Sequence, residues 1–541
     1  MGKSKGKDNE LDAQKLNKSL PKKLRIRFPL TVTSVPTTTK VIERYPLNSP
    51  FTYAVIAQDP YSSAKRYYLD EVGLSTEEGA IYTYLLDTLE NELTIPRSQI
   101  NPREYFTRQA KRAVLKYKIK IPETSWAKIL YFAERDLVGF GLLDGLMRDT
   151  QIEDISIDGV TKPVFIHHRR YENLETNIIF KDDEDLDNLT ARFSHMAGKH
   201  ISTAFPIVQG TLPGRHRLSA TFRREISPYG GTMTIRKFRE DPLTIIDMLN
   251  MNVLDHGLAA YIWLLMENRA TAIVVGSTGS GKTTLLNAIL TLTRMNSKIV
   301  TIEEVQEINM AHPNWAALLS RQSYSAGNEG AGEVGLFDLV KVAMRMRPDI
   351  IVVGEVRGEE AYVLFQAIST GHGGLCTLHA DDVSSAIQRL TSKPMDVAPA
   401  FIPFLDLVFT VRRISIPIVG GGFRSVRRII SVDEVVSLGN YVRVFAWEPS
   451  NDKYQAYPLK NSVKLTRLAK DLGITLAELL DEVNRRSLVL KWIQQRGIRN
   501  YKELSNLFEE YTSRRQETYE KAVEGLREFG STRSVVQEVK F

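Results

Sequence analysis

The sequence predicts an α/β protein built on a mainly parallel sheet, and three observations lead to that prediction. Residues 276–283 match the pattern G-x-x-x-x-G-K-[ST], whose backbone N–H groups cradle nucleotide phosphates. A strand-like apolar run precedes this loop at residues 272–275, and a helix-like run follows it at residues 284–290. Apolar runs alternate with helical patterns from about residue 243 to residue 450, as expected for parallel strands covered by helices on both faces.

The composition is that of a globular protein with several domains. The chain has 541 residues, of which 43% are apolar and 25% are charged. It contains no run of about 18 uncharged apolar residues, and its lysine-rich N-terminus lacks the apolar core of a secretory signal. We therefore expect a cytoplasmic protein without a membrane span. The single cysteine, Cys376, excludes an internal disulfide and a four-cysteine zinc site.

Two regions are predicted before residue 122. The composition of residues 1–30 predicts a flexible basic tail, since residues 1–27 hold nine Lys and Arg side chains against three acids. Such a tail either stays solvated or touches an anionic membrane surface or an acidic partner. Residues 31–121 predict a small α+β module with a helix around residues 76–93.

Residues 122–240 predict a second module that carries a cluster of arginines. Its helices are expected near residues 126–143 and 185–199, and its strands near 153–157, 164–168, 218–222 and 232–237. The arginines are Arg215, Arg217, Arg223, Arg224, Arg236 and Arg239. An arginine placed against a transferring phosphate stabilises the charge of the transition state, so we expect some of these to be arginine fingers and the others to form weak surface ion pairs. Charge and a proline at residues 239–242 predict the boundary of this module.

Residues 241–460 predict the nucleotide-binding domain, with strands near residues 272–275, 298–302, 349–353 and 375–378. The glycines of the loop permit a tight turn that aims N–H groups at phosphate oxygens. Lys282 is expected to reach the β- and γ-phosphates of ATP, and the Thr283 hydroxyl is suited to holding Mg²⁺. The predicted nucleotide-binding residues are Gly276, Ser277, Thr278, Gly279, Ser280, Gly281, Lys282, Thr283 and Thr284.

Acidic residues follow two of the predicted strands. Glu355 lies two residues beyond the apolar run at residues 349–353, at the edge where ligand sites of open α/β sheets lie. We therefore expect it to position or deprotonate the attacking water. Glu303 and Glu304 follow the strand at residues 298–302; they either complete the Mg²⁺ and water site or form a solvated acidic turn. The predicted metal ligands are Thr283, Glu304 and Glu355.

Two histidines, His372 and His379, frame the strand near residues 375–378. The spacing of these histidines lacks the dense set of cysteine and histidine ligands that a metal site needs, which argues against metal binding. A neutral imidazole both donates and accepts, which suits a γ-phosphate sensor or a polar link to a subunit interface.

Residues 461–541 predict a helical C-terminal extension, because leucines and other apolar residues repeat at helical spacing. Residues 465–480 superficially suggest a helix-turn-helix, and a DNA-handling protein is therefore one alternative. Basic Arg467 and Lys470 are mixed with acidic Asp471, Glu478 and Asp481, so no basic face emerges. Nucleic acid is not an expected partner.

Together these motifs resemble the secretion-ATPase superfamily, over roughly residues 40–450. In that family the glycine loop is followed by an acidic box, an atypical Walker B strand ending in Gly-Glu, and a histidine box of the form G-H-x-G-x-x-T-x-H. These correspond here to residues 301–307, 349–355 and 371–379. The resemblance implies a RecA-like ATPase domain and makes Arg217 and Arg236 the arginine fingers, with Arg215 a weaker competitor of Arg217.

The resemblance further implies a hexameric Mg²⁺-dependent ATPase motor at the inner face of the cell membrane. Its partners would be a polytopic membrane platform protein and, indirectly, prepilin-like subunits of an archaeal pilus or archaellum. A type IV secretion ATPase that exports protein or DNA is the main alternative, and a catalytically dead scaffold is another. Two departures stand out: Glu304 replaces the usual aspartate of the acidic box, and the four-cysteine module of many bacterial type II secretion ATPases is absent.

Overall fold

The computed structural model describes residues 30, 32–59, 64–92, 102–119, 121–239, 241–321, 333–417 and 423–528. The predicted basic tail, apart from Leu30, lies outside these residues. The chain divides into two compact units, Met1–Phe238 and Arg239–Phe541. The finer division into five regions stays a prediction. Within the described ranges, no helix is both long enough and apolar enough to cross a membrane.

The N-terminal unit contains a sheet in the order β1-β2-β3-β6-β5-β4-β9-β8-β7. Its strands are β1 (Lys40–Asn48), β2 (Thr52–Gln58), β3 (Lys65–Glu71), β4 (Ile152–Asp158), β5 (Pro163–His168), β6 (Glu172–Ile179), β7 (Ile207–Leu212), β8 (His216–Thr221) and β9 (Thr232–Arg236). Neighbouring strands pair antiparallel except β3 and β6, which are parallel. The four strands predicted between residues 153 and 237 are confirmed within two residues at each end.

The helices of this unit are α1 (Thr76–Glu92), α2 (Pro102–Lys116), α3 (Glu123–Leu137), α4 (Asp144–Arg148) and α5 (Asp183–Met196). The first three pack on one another around Phe106 and Phe132. The helix predicted near residues 126–143 is present as α3, but it ends at Leu137, and a short 3₁₀ turn separates it from α4. The chain needs glycine just after α3, because a Cβ at Gly139 would lie 2.9 Å from the Arg135 carbonyl oxygen and 2.5 Å from Asp144.

The C-terminal unit is built on a mixed sheet in the order β12-β11-β13-β14-β10-β15-β16-β17-β18. Its strands are β10 (Ala272–Val275), β11 (Ile299–Glu303), β12 (Trp315–Leu319), β13 (Ile350–Val353), β14 (Gly373–Leu378), β15 (Leu407–Pro417), β16 (Phe423–Ser437), β17 (Asn440–Glu448) and β18 (Lys453–Ala456). The strands from β12 to β15 run parallel, and β15 to β18 pair antiparallel. The antiparallel part, from β16 onward, was not predicted.

Helices cover both faces of the parallel strands. They are α6 (Ile245–Asn250), α7 (His256–Glu267), α8 (Lys282–Leu290), α9 (Leu336–Arg345), α10 (Glu360–Ser369) and α11 (Val383–Thr391). Alternate side chains of β10 enter two different cores: Val274 packs with α7 and α8, whereas Ile273 and Val275 pack with α9 to α11. The structure thus confirms a RecA-like α/β domain, and the carboxyl ends of its parallel strands meet at one edge.

The C-terminal helices are α12 (Val463–Leu472), α13 (Leu476–Gln495), α14 (Tyr501–Ser513) and α15 (Arg515–Glu528), which confirms the predicted helical extension. Their apolar side chains belong to the same core as α7 and α8. Buried Glu434 of β16 accepts hydrogen bonds from the N–H groups of Val463 and Lys464, at the start of α12. The extension is therefore part of the core of the C-terminal unit, held at its first turn by a buried carboxylate.

Candidate nucleotide-binding site

The phosphate loop joins β10 to α8 and depends on two of its glycines. A Cβ at Gly276 would lie 2.3 Å from the Val411 carbonyl oxygen and 2.6 Å from the Ser280 Oγ. Gly281 has a φ of 94° and directly precedes the first turn of α8. A side chain at either position would clash or strain the backbone, so this tight loop needs glycine there.

Lys282, the first residue of α8, points back into the loop. Its Nζ donates a hydrogen bond to the Ser277 carbonyl oxygen at 3.1 Å and lies 3.4 Å from both ring nitrogens of His379. Burial lowers the pKa of Lys282 below its ordinary value, and nearby Glu355 partly opposes that shift. The lysine ammonium is thus held at the start of a helix, where backbone N–H groups and the helix dipole also favour an anion.

The loop residues fit a bound phosphate. Ser280 is fully buried, and its Oγ has no hydrogen-bond partner among the described residues. Thr283 and Thr284 follow Lys282 in the first turn of α8 and are half-buried. A bound phosphate would supply acceptors for both donors. Without it, Lys282 donates to a loop carbonyl, and the Ser280 hydroxyl has no partner among the described residues.

Glu355, directly beyond β13, is held by two side chains. Its Oε1 lies 2.9 Å from the His379 Nε2, and its Oε2 accepts a hydrogen bond from Arg357 at 2.7 Å. Burial raises the pKa of Glu355, but the hydrogen bond and charge of Arg357 outweigh burial and hold the pKa below its ordinary value. Burial, together with the charge of Lys282, lowers the pKa of His379. Near neutral pH the carboxylate is therefore ionised and the imidazole neutral.

Glu303 has a different environment from Glu355, although β11 and β13 are neighbours. It is buried, and its Oε1 accepts hydrogen bonds from the N–H groups of Glu307 and Ile308 at 2.9 and 3.0 Å. Burial raises its pKa to about 7. Within the described residues its Oε2 has no partner. The geometry gives Glu303 a clear structural task, which is to fix the acidic turn after β11; the predicted catalytic task stays a prediction.

Glu304 is exposed, and its Oε2 lies 3.6 Å from the Arg357 Nη1. Across the described ranges, no three His, Cys, Asp or Glu side chains are arranged to hold a metal ion. Such a protein-only cage is not what Mg²⁺ needs, since it usually binds one or two protein oxygens together with substrate phosphates and water. The assignment of Thr283, Glu304 and Glu355 as ligands therefore stays a prediction.

The two predicted histidines are not brought together. His379 follows β14 at the edge of the phosphate loop, whereas His372 precedes the same strand. Six strand residues separate them, which is roughly 20 Å. The Nδ1 of His372 lies 3.0 Å from the Ala367 carbonyl oxygen. Of the two histidines, only His379 lies beside the phosphate loop.

The predicted arginine fingers lie side by side in the N-terminal unit. Arg217 of β8 and Arg236 of β9 are register partners in an antiparallel pair, so their side chains lie on the same face of the sheet. Arg223 and Arg224 instead form ion pairs with Asp187 and Asp183 at 3.1 and 3.0 Å. Those two are thus surface arginines, and the catalytic role of the register pair stays a prediction.

Sequence reasoning missed two arginines at the site. Arg357 bridges Glu355 and Glu304. Its position in the sequence, two residues after Glu355, could have indicated that it belongs to the site. Arg427 of β16 donates from Nε to the Gly279 carbonyl oxygen at 3.3 Å, across 148 residues of sequence. Its strand belongs to the unpredicted antiparallel part of the sheet, so no local pattern indicated it.

Comparison with known proteins places these features in a family. The family described as "Type II/IV secretion system protein" matches residues 146–403, and the one described as "PilB3-like, N-terminal" matches residues 26–71. Protein MJ0900 of Methanocaldococcus jannaschii is 33% identical over 465 residues, which are 84% of this chain and 80% of that protein.

More distant similarities were also found. The conjugal transfer protein TrbB of Rhizobium radiobacter is 31% identical over 238 residues, which are 42% of this chain and 68% of that protein. Among solved structures, the ATPase DotB of Legionella pneumophila aligns with a TM-score of 0.39 and 20% identity, covering 67% of this chain and 92% of that one.

Proposed function

This chain belongs to the type II/IV secretion system protein family, and we propose that within it the protein is a Mg²⁺-dependent ATPase motor that powers assembly of a type IV pilus-like filament. One observation supports the enzymatic part above all others. At the carboxyl edge of the parallel sheet, the neutral His379 imidazole lies between the Lys282 ammonium and the ionised Glu355 carboxylate and contacts both. That is where ligands bind in open α/β sheets.

Each residue of the site has a separate role in hydrolysis. Lys282 exchanges its bond to the Ser277 carbonyl for a phosphate oxygen of ATP, and the loop amides orient the phosphates in line for attack. Glu355 is ionised because its pKa is held low, so its carboxylate accepts a hydrogen bond from the attacking water and orients it. The same carboxylate takes up the proton of that water as the water oxygen bonds to phosphorus. His379 maintains the spacing between these two charges.

Thr283 and a carboxylate of Glu355 or Glu304 would hold Mg²⁺, which when bound neutralises charge on the phosphate oxygens. We assign Arg217 and Arg236 as the arginine fingers that stabilise the charge spread over those oxygens in the transition state. The motor would be a homohexamer whose partners are a polytopic membrane platform protein and, indirectly, prepilin-like subunits. The match of residues 26–71 to a PilB3-like N-terminal family supports the pilus assignment.

A phosphate-release assay on the full-length protein tests the enzymatic part. We expect hydrolysis that needs Mg²⁺ and is lost in Lys282→Ala, with the exposed Lys341→Ala on α9 as a matched control that hydrolyses normally. Equal rates in Lys282→Ala and the control would refute the site.

A second candidate function, export of protein or DNA by a type IV secretion system, is favoured by relatives that are named as conjugal transfer proteins. Both functions need the same ATPase site, so only partners distinguish them. Glu355→Gln protein, expected to hold ATP without turnover, can be captured from native membranes and its companions identified. A platform protein with prepilin-like subunits supports the filament motor; export-channel or DNA-processing proteins support the second candidate.

A further inference from the structure

Helix α2 presents an unusually basic stripe on its exposed face. Arg108, Lys111, Arg112 and Leu115 are spaced i, i+3, i+4 and i+7, so they line one side of the helix. All four are exposed, and Leu115 retains 79% of its accessible surface. The helix is thus held by its opposite face, and the stripe is available for contacts.

Within the described residues, no ion pair neutralises the charges of the stripe, although Glu123 lines the same groove as Lys111. In the parts of the chain that the structure describes, no carboxylate lies within ion-pair distance of Arg108, Lys111 or Arg112. Arg103, one turn earlier, shows the contrast, because it pairs with Glu134 at 3.3 Å. Three adjacent unpaired cations concentrate positive potential on one small area.

An apolar groove adjoins the stripe, between the end of α2 and the start of α3. It has a volume of about 410 Å³. Apolar side chains of Val114, Leu115, Ile119, Ile121 and Trp126 line it, with Lys111 and Glu123 beside them. A concave apolar surface next to cations has the form that receives an amphipathic helix, whose anchors fill the groove while its flanks meet the charges.

We propose that this groove, together with the basic stripe, docks an amphipathic helical segment of a partner protein that is apolar on one face and acidic on the flanks. Charge decides among occupants. The chain's own residues 1–27 hold nine Lys and Arg against three acids, so the stripe repels them. A planar anionic bilayer would meet the cations but leave the concave groove unfilled. An acidic amphipathic helix satisfies both features.

Binding of a synthetic probe to the full-length protein tests the proposal. The probe is a fluorescent 18-residue peptide with leucines at i, i+3 and i+7 spacing and glutamates between them; a scrambled peptide of equal composition is its control. The test variants are Leu115→Asp and the combined Arg108→Glu, Lys111→Glu and Arg112→Glu. Their matched controls, also exposed but on the C-terminal helices, are Leu472→Asp and the combined Lys470→Glu, Lys502→Glu and Arg527→Glu.

We expect the patterned peptide to bind in the micromolar range, and both α2 variants to weaken it about tenfold or more, equal to a loss of about 1.4 kcal/mol. The control variants and the wild type should bind alike, and the scrambled peptide should bind weakly. Absence of binding, or equal binding by all variants, overturns the proposal.

Two parallel measurements identify the other occupants. If the α2 variants lose sedimentation with phosphatidylglycerol–phosphatidylcholine vesicles but bind the peptide normally, the occupant is an anionic bilayer and the proposal fails. If they change only the oligomeric state in sedimentation velocity, the occupant is a second copy of this chain, and the proposal fails equally. Neither result depends on ATP hydrolysis, so the inference and the proposed ATPase activity are tested separately.

Discussion

Neighbouring glutamates at the carboxyl edge of the sheet differ at the residue scale because their surroundings differ. Glu355 faces Arg357 and is ionised, whereas buried Glu303 faces two backbone N–H groups and has a pKa raised to about 7. Sequence placed both acids after apolar strands. It could not distinguish them, since the difference comes from Arg357 on one side and from burial on the other.

The raised pKa of Glu303 predicts how stability depends on pH. Folded Glu303 binds its proton more tightly than unfolded Glu303, whose pKa is near 4.5, so its stabilising contribution is complete below about 4.5 and is lost as pH rises through about 7. Glu303→Gln keeps an acceptor without the ionisation. The variant should therefore gain stability relative to wild type between these pH values, by at most roughly 3 kcal/mol.

Urea unfolding followed by tryptophan fluorescence from pH 4.5 to 8 measures this difference. Glu304→Gln is the control, because the Glu304 carboxylate is exposed and should contribute little to unfolding. A difference between Glu303→Gln and wild type that stays constant over this range would contradict the assignment.

The separated histidines give a paired prediction. His379→Gln disturbs the link between Lys282 and Glu355, so kcat in a phosphate-release assay should fall roughly tenfold or more. His372→Gln changes a side chain at the opposite end of β14 and should lower kcat less than about threefold. Equal losses would contradict this placement of the two histidines relative to the phosphate loop.

At the scale of elements, sequence predicted the parallel strands because each is a short, almost wholly buried apolar run, as in β10 and β13. The antiparallel strands β16 and β17 escaped prediction for the opposite reason. They mix exposed arginines with buried apolar residues over 15 and 9 residues, so neither shows the short, wholly apolar run of a parallel strand. Arg427 of β16 contacts the phosphate loop. Because this strand was not predicted, its contact with the site was not predicted either.

The C-terminal helices are tied to the nucleotide-binding core by a buried ion pair. Arg486 of α13 is fully buried, its Nη2 lies 2.5 Å from Glu267 at the end of α7, and its guanidinium lies 4.7 Å from the centre of the Trp263 ring. Removing one charge leaves the other buried without compensation, so Arg486→Met should destabilise the protein by about 3–5 kcal/mol.

Adding Glu267→Gln to Arg486→Met should restore part of this loss, because the buried carboxylate is then neutral, although the partly exposed Glu482 still lacks its Arg486 partner. Arg485→Met is the matched control: the adjacent arginine forms a surface pair with Asp481 and should cost no more than about 1 kcal/mol. Urea unfolding of these proteins, of the wild type and of Glu267→Gln alone measures the coupling as a double-mutant cycle. Equal losses in Arg485→Met and Arg486→Met would show that the buried pair does not hold the extension.

At the scale of the whole molecule, sequence predicted the helices of the extension but not what they pack against. Periodic residues such as Leu479 and Val483 mark an apolar face, yet the core they join is formed by α7 and α8, some 200 residues earlier in the sequence. The phosphate loop could be predicted because its chemistry requires adjacent residues. Contacts between distant segments leave no such local trace.

The central claim is that one subunit assembles a phosphate loop, Lys282, His379 and Glu355 into a site for ATP hydrolysis. The most direct test is single-turnover analysis of bound nucleotide in wild-type and Glu355→Gln protein with radiolabelled ATP and Mg²⁺. Wild type should release labelled phosphate and hold ADP, while Glu355→Gln should retain intact ATP, with phosphate formation slowed about 100-fold or more. Hydrolysis by Glu355→Gln at the wild-type rate, or failure of both proteins to bind ATP, would contradict the account.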